Sequence, residues 1–309
     1  VRLRQNAADL MARLEAAAHA DHACPDEKTV HRLRTGTRRC GALLESLLHH
    51  PPARGRANIL PHQEKPARKL MRQWKKLRRA AGAVRDLDVH LQLLQQLRNP
   101  LSARVPQATE PALTEQLDHL QAWLAEGRQS RAAVLHRQAQ KRLPRYRQLT
   151  ADVLGELTPS LPDAKPAAAS RSRSRSPRPS LLALEDFYRV SVVNALLNRD
   201  NLHDFRKSTK EARYVAEAGG EEPHAQAVSR ALKKIQDTIG DWHDLDALCL
   251  EAQQALAGEG NELRDLLHDC AEAKLQEAII ATERMRRRLL GERLAMQPSR
   301  SRPAEHSQA

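Results

Sequence analysis

An all-α fold built from two copies of one unit is what this sequence predicts, and three observations carry it. Apolar residues recur at helical spacing along the chain, with no alternating runs closed by hairpin turns. A histidine-led basic motif occurs twice, as V-H-R-L-R-T-G-T-R-R at 30–39 and as L-H-D-F-R-K-S-T-K-E-A-R-Y at 202–214. A second motif, ending in D-L-D, follows each copy in the same order, at 86–88 and 244–246. Two motifs repeated in one order constrain the architecture far more than either alone.

Taken from the start, Leu3, Leu10, Leu14 and Ala17 fall on one side of an amphipathic helix over 2–20. Pro25 and Asp26 open a second helix, which His49-His50-Pro51-Pro52 ends. Its inward residues are Leu33, Thr37, Leu44 and Leu47, and His31, Arg34 and Arg38 lie more than a quarter turn round. A third helix, from about Gln63 to Ala81, carries Lys69, Arg72, Lys75, Lys76, Arg78 and Arg79 around Leu70, Trp74 and Leu77, and is expected to stop at Gly82. Asp86 and Asp88 then begin a fourth, since acids favour a helix N-terminus, and Asn99-Pro100 stops it. A long helical pattern from Leu113 to Leu157 is expected to break or kink near Pro144.

From Thr158 to Ser180 the composition changes to Pro, Arg and Ser, including S-R-S-R-S-R-S-P-R-P-S, which predicts a disordered linker. The first module is therefore 1–157 and the linker 158–180; the second module is 181–297, followed by a polar, disordered tail at 298–309. The second module repeats the programme with helices at Leu181 to Asn198, Leu202 to Ala218 (closed by Gly219-Gly220), Pro223 to Ile239, Asp241 to Leu256 and Glu262 to Leu290.

The chain carries 51 Lys+Arg against 38 Asp+Glu, a formal charge of +13 and a pI near 10.0. Such a field calls for a polyanionic partner. Two Phe, three Tyr and three Trp serve all 309 residues, leaving few rings for the base stacking that single-stranded nucleic acid requires. A polyanion without bases fits better. Cys24, Cys40, Cys249 and Cys270 are too widely spaced for a zinc ribbon or a disulfide framework and read as free thiols. No run approaches the ~18 apolar residues of a membrane span, and no secretory signal opens the chain. A cytoplasmic protein with no membrane partner is expected; Val1 in place of Met leaves room for a segment removed upstream.

On a helix of 3.6 residues per turn, His203, Arg206, Lys210 and Arg213 fall within about 80°, and His31, Arg34 and Arg38 repeat that stripe. Aligning Gly82 with Gly240 matches Lys75 and Lys76 with Lys233 and Lys234, and Asp86 and Asp88 with Asp244 and Asp246. The interval from histidine to first aspartate is shorter in the second copy, so its hairpin is shorter. Like charges aligned without acids at i+4 repel one another, so a ligand is expected to relieve them. Arg supplies forked contacts and Lys mobile point charges to phosphoryl oxygens. For His31 and His203 two roles stay open, as protonated phosphate donors or as helix-packing residues. The four aspartates read as helix caps that also orient neighbouring cations, and not as catalytic acids.

The residues His31, Arg34, Arg38, Gly82, Asp86 and Asp88, with His203, Arg206, Lys210, Arg213, Tyr214, Gln236, Gly240, Asp244 and Asp246, resemble the CHAD family, the conserved histidine α-helical domain. That family carries H-x-x-R-x-x-x-[RK] on an early helix and a later L-G-x-x-x-D-x-D, each once per half. The resemblance implies two antiparallel four-helix bundles related by a pseudo-twofold axis, with basic ridges around a central surface that binds inorganic polyphosphate. It also implies residence on polyphosphate granules, among granule-associated proteins. The chain departs from the pattern at Gly41, which shortens the first ridge and leaves Arg39 to substitute, and in its long, basic Arg/Ser linker.

The function expected is therefore non-catalytic polyphosphate binding without cofactor or metal. His31, Arg34, Arg38, Arg39, Lys75 and Lys76 act from the first module, and His203, Arg206, Lys207, Lys210, Arg213, Lys233 and Lys234 from the second. Two alternatives remain. RNA binding through the Arg/Ser linker lacks any helix-turn-helix or RNA-recognition signature. A metal-dependent HD-type phosphohydrolase would use His203-Asp204 and His243-Asp244, but the matched pairs in the first half are His31-Arg32 and Arg85-Asp86.

Overall fold

The computed structural model describes residues 2–49, 61–104, 106–155, 179–217, 222–258 and 260–296. Those residues are helical with no strand among them, in the order α1 (Arg2–Ala18), α2 (Glu27–His49), α3 (Pro61–Ser102), α4 (Glu110–Leu154), α5 (Pro179–Val193), α6 (Arg199–Glu217), α7 (Pro223–Ala255) and α8 (Glu262–Met296). They fall into two compact units, one drawn from positions 1–171 and 254–260 and the other from 172–253 and 261–309. The predicted linker lies outside the described residues apart from its last two, which begin α5, and so does the predicted tail.

In the first unit α1 packs on α2 and α4, and α3 packs on α2 and α4. Asp26 caps α2, accepting the backbone N–H of Thr29 at 2.8 Å and its hydroxyl at 2.8 Å. Those bonds hold its carboxyl below the usual range. Val30, Leu33, Thr37, Cys40 and Leu44 are buried at helical spacing along α2. They meet Leu10 and Leu14 of α1, Leu70, Trp74 and Leu77 of α3, and Leu135 and Tyr146 of α4 in one core.

The second unit has its own core, made of Phe187 of α5, Leu202 and Phe205 of α6, Leu232, Ile235 and Trp242 of α7, and Leu275 of α8. Phe187 and Phe205 meet edge to face, with ring centroids 6.1 Å apart. Asn198 caps α6 by accepting the N–H groups of Asp200 (3.0 Å) and Asn201 (3.1 Å). That cap starts the helix three residues before the expected Leu202. All four cysteines are free thiols, and burial pushes that of Cys40 up to about 12.

Three expected boundaries are absent. Gly82 and Gly240 do not end helices: α3 and α7 run through both glycines without interruption. Asp86, Asp88, Asp244 and Asp246 therefore sit in helix interiors and cap nothing, which corrects the role inferred for them. Pro144 likewise lies inside α4, whereas α3 ends at Ser102, two residues beyond Pro100 and close to the stop expected there. Each proline is exposed, as is the residue four positions before it, so the carbonyl that loses its amide partner can meet water.

Candidate polyanion-binding ridges

The glycine of the second motif has a packing role in both units. In the first, the Arg34 side chain lies against α3 at Gly82, where an added Cβ would stand 3.7 Å from Arg34 Nε. In the second, Arg206 lies against α7 at Gly240, where a Cβ would stand 3.2 Å from Arg206 Nη2. Arg206 Nε also donates to the backbone carbonyl of Gln236 at 2.9 Å. A glycine inside a helix costs about 1 kcal/mol relative to alanine. The lost side chain here opens a slot in which a ridge guanidinium rests.

The two aspartates of D-L-D do different things. Asp86 is exposed, with an oxygen 4.0 Å from Arg34 Nη2, and helps to orient that arginine. Asp88 is buried and accepts Arg128 Nε of α4 at 2.6 Å. The same guanidinium donates to Cys24 Sγ at 2.9 Å and to the Pro25 carbonyl at 3.0 Å, tying α4 to α3 and to the entrance of α2. Burial pushes the Asp88 carboxyl up against the pull of Arg128. In the second unit Asp246 pairs with Arg199, the first residue of α6, whose other nitrogen bonds Glu272 of α8 at 2.8 Å. Asp88 and Asp246 thus bind helix to helix, and the cations they hold are Arg128 and Arg199 rather than ridge residues. Asp244 is half-buried.

Both motif histidines are held toward the neutral form. His31 is pushed down by burial, then by Arg85 and Arg34. His203 is pushed down to about 4, first by burial, then by His243, Lys207 and Arg206. The His203 and His243 rings lie with centroids 4.3 Å apart. Arg85 and His243 occupy matched positions in the two copies, so each motif histidine has a cationic or titratable neighbour from the next long helix. His203 Nδ1 is buried without a hydrogen-bond partner among the described residues.

Several ridge cations carry acids that the sequence pattern seemed to lack. Lys207 pairs with Asp204 at 3.0 Å, Lys233 with Asp237 at 2.6 Å and Arg213 with Glu217 at 3.2 Å. All are short-range pairs on one helix, weak enough in water to be exchanged for a phosphate. Arg38 and Lys210 are half-buried on their stripes. Lys75 and Lys233 stand within about 20° of Gly82 and Gly240 round their helices, whereas Lys76 and Lys234 stand about 120° away; all four are exposed. Arg39 belongs to a different face of α2, where it lines a cleft against α1 with Arg13 and Arg32.

Arg78, Arg79 and Arg85 were not among the residues expected at the ridges. On α3 they lie within about 60° of Gly82, and Arg85 holds Glu27 at the start of α2. Their spacing of four, three and three residues from the slot glycine was the available signal. Among the described residues no group of three His, Cys, Asp or Glu side chains is arranged to hold a metal, and no helix is long and apolar enough to cross a membrane.

A histidine-led basic helix with a glycine-slotted neighbour is thus found in both units. The chain is a member of the CHAD domain family, whose pattern it matches over residues 3–253. Among solved structures it is similar to PptA from Streptomyces chartreusis, with a TM-score of 0.54 at 15% identity over 92% of this chain and 95% of that one. That likeness is one of fold. No curated protein matches it in sequence.

Proposed function

We propose that the protein binds inorganic polyphosphate, without catalysis, along the ridges of α2 and α6. Membership of the CHAD family, whose known association is with polyphosphate, supports this class of ligand. The observation that carries the reading is the repeated slot: Arg34 at Gly82 and Arg206 at Gly240 are each held against a neighbouring helix. Preorganised guanidiniums lose less freedom when they meet a phosphoryl oxygen. Lys75 and Lys233 extend each ridge along the slot face, with Arg38, Lys210 and Arg213 along the motif helix. The twofold relation between the units that the resemblance implies, and targeting to polyphosphate granules, belong to this proposal.

A catalytic reading gains little from the carboxylates. Asp88 and Asp246 are engaged by arginines, and Asp204 is held below its usual range by Lys207. The test is a titration of long-chain polyphosphate, RNA and single-stranded DNA at about 150 mM salt, where exposed charges are screened beyond ~8 Å. Polyphosphate is expected to bind tightest, with affinity falling steeply as salt rises. Equal affinity for all three polymers would defeat the proposal.

A further inference from the structure

The first unit carries a second basic site that the ridges do not use. On the face of α2 turned toward α1, Arg32, Thr35, Gly36 and Arg39 follow the helical spacing i, i+3, i+4, i+7. With Asn6, Asp9, Leu10 and Arg13 of α1 they line a cleft of about 350 Å³. This face lies about 100° round the helix from the His31, Arg34 and Arg38 stripe. Its floor is set by Gly36, where an added Cβ would stand 3.2 Å from Leu10 Cδ1. The small residue lets α1 and α2 approach closely beneath the three guanidiniums.

Two features distinguish the cleft from an ordinary wet surface. Arg13, Arg32 and Arg39 make no ion pair among the described residues, although Asp9 lines the same cleft. The second unit has acids where the first has these three arginines, although Lys207 stands at the position of Thr35. Asp204 and Glu211 follow His203 as Arg32 and Arg39 follow His31, and Asp186 precedes buried Phe187 as Arg13 precedes buried Leu14. The helical repeat therefore does not require arginines here, and the first unit alone has them.

We propose that this cleft is a separate site for a compact inorganic phosphate of pyrophosphate size. Three forked guanidiniums suit a multiply charged tetrahedral oxyanion, and the Asn6 amide adds a neutral donor; the Thr35 hydroxyl donates to the His31 carbonyl at 3.0 Å. No aromatic ring lines the cleft, so it offers no platform for a nucleobase. The lining carries three positive charges against one negative, which favours a ligand of at least two charges. The inference does not rest on the ridges binding polyphosphate.

The full chain is titrated with inorganic pyrophosphate by calorimetry at about 150 mM salt, beside Arg32→Gln/Arg39→Gln and Arg206→Ala/Lys210→Ala. Pyrophosphate affinity is expected to fall at least about tenfold in the first variant, each charge-assisted contact being worth roughly 1.5 kcal/mol, and to stay unchanged in the second. Long-chain polyphosphate affinity is expected to hold in the first variant. Arg13→Gln is the milder second variant, and far-UV circular dichroism checks that each is folded. The inference is overturned if pyrophosphate fails to bind the parent, binds all variants alike, is lost in the ridge variant instead, or if long-chain affinity falls in step with it. Failure of long-chain polyphosphate to bind any form would defeat the ridge reading alone.

Discussion

The two ridges share one plan and differ in how firmly they hold it. Arg206 is pressed into its slot, 3.2 Å from where a Gly240 Cβ would stand, and anchored to the Gln236 carbonyl. Arg34 lies more loosely over Gly82, at 3.7 Å, and turns toward Asp86. The second stripe ends in Arg213, whereas the matched position in the first is Gly41, around which there is open space. The interior aspartates differ in the opposite sense. Asp88 relies on Arg128 in a buried setting, and Asp246 shares Arg199 with Glu272 nearer to water. The comparison separates what the repeat needs in order to fold from what it needs in order to bind: the first unit is braced more deeply, and the second presents the more complete ridge.

The largest expected effect concerns bracing. Asp88→Ala leaves the Arg128 guanidinium inside the first unit without a counter-charge, holding only Cys24 and the Pro25 carbonyl, and should cost about 3 kcal/mol in chemical denaturation, as breaking buried pairs does. Asp246→Ala leaves Arg199 its Glu272 partner and should cost visibly less. Equal losses would erase the contrast between the units.

Next comes the slot. Gly240→Leu should expel Arg206, break its bond to Gln236 and weaken polyphosphate binding about tenfold, a charged hydrogen bond being worth roughly 1.5 kcal/mol, with helicity preserved. Gly82→Leu should weaken it less, and a reversed order would contradict the reading of a tighter second slot. A gain is expected at Gly41: Gly41→Arg places a cation into open space on the weaker ridge. It should tighten binding a few-fold while raising helix stability by up to about 1 kcal/mol.

The smallest effect is on pH dependence. His203 is pushed from its ordinary 6.5 down to about 4, so the folded chain binds fewer protons than the unfolded one between those values. Stability from the neutral ring is complete above about 6.5 and is lost as pH falls toward about 4. Solvent screening should hold the loss to about 1 kcal/mol. His203→Gln should flatten the curve in that interval. If the histidine instead donates to phosphate, polyphosphate affinity will rise over the same fall in pH and the variant will abolish the rise.

The helical class, the two copies and the stripes were legible because apolar spacing and repeated motifs are local properties of a sequence. The slots were not. Gly82 and Gly240 read as helix terminators because glycine commonly ends helices, and only the position of an arginine on another helix shows why these two do not. The same error made caps of Asp86, Asp88, Asp244 and Asp246. Arg39 was given to the ridge as a substitute for the cation missing at Gly41, but one residue turns a helix by about 100°, and Arg39 lies on the face that meets α1. The partners of Asp88 and Asp246 come from helices far along the chain, α4 and the start of α6, which no local pattern could announce.

The central claim is that the motif arginines and lysines carry polyphosphate binding and that the second ridge carries more of it. Its most direct test is the affinity of long-chain polyphosphate for Arg206→Ala/Lys210→Ala beside Arg34→Ala/Arg38→Ala, with helicity monitored throughout. Both pairs should remain helical and both should weaken binding, the first by about tenfold or more and the second by less. Unchanged affinity in both folded variants would contradict the claim.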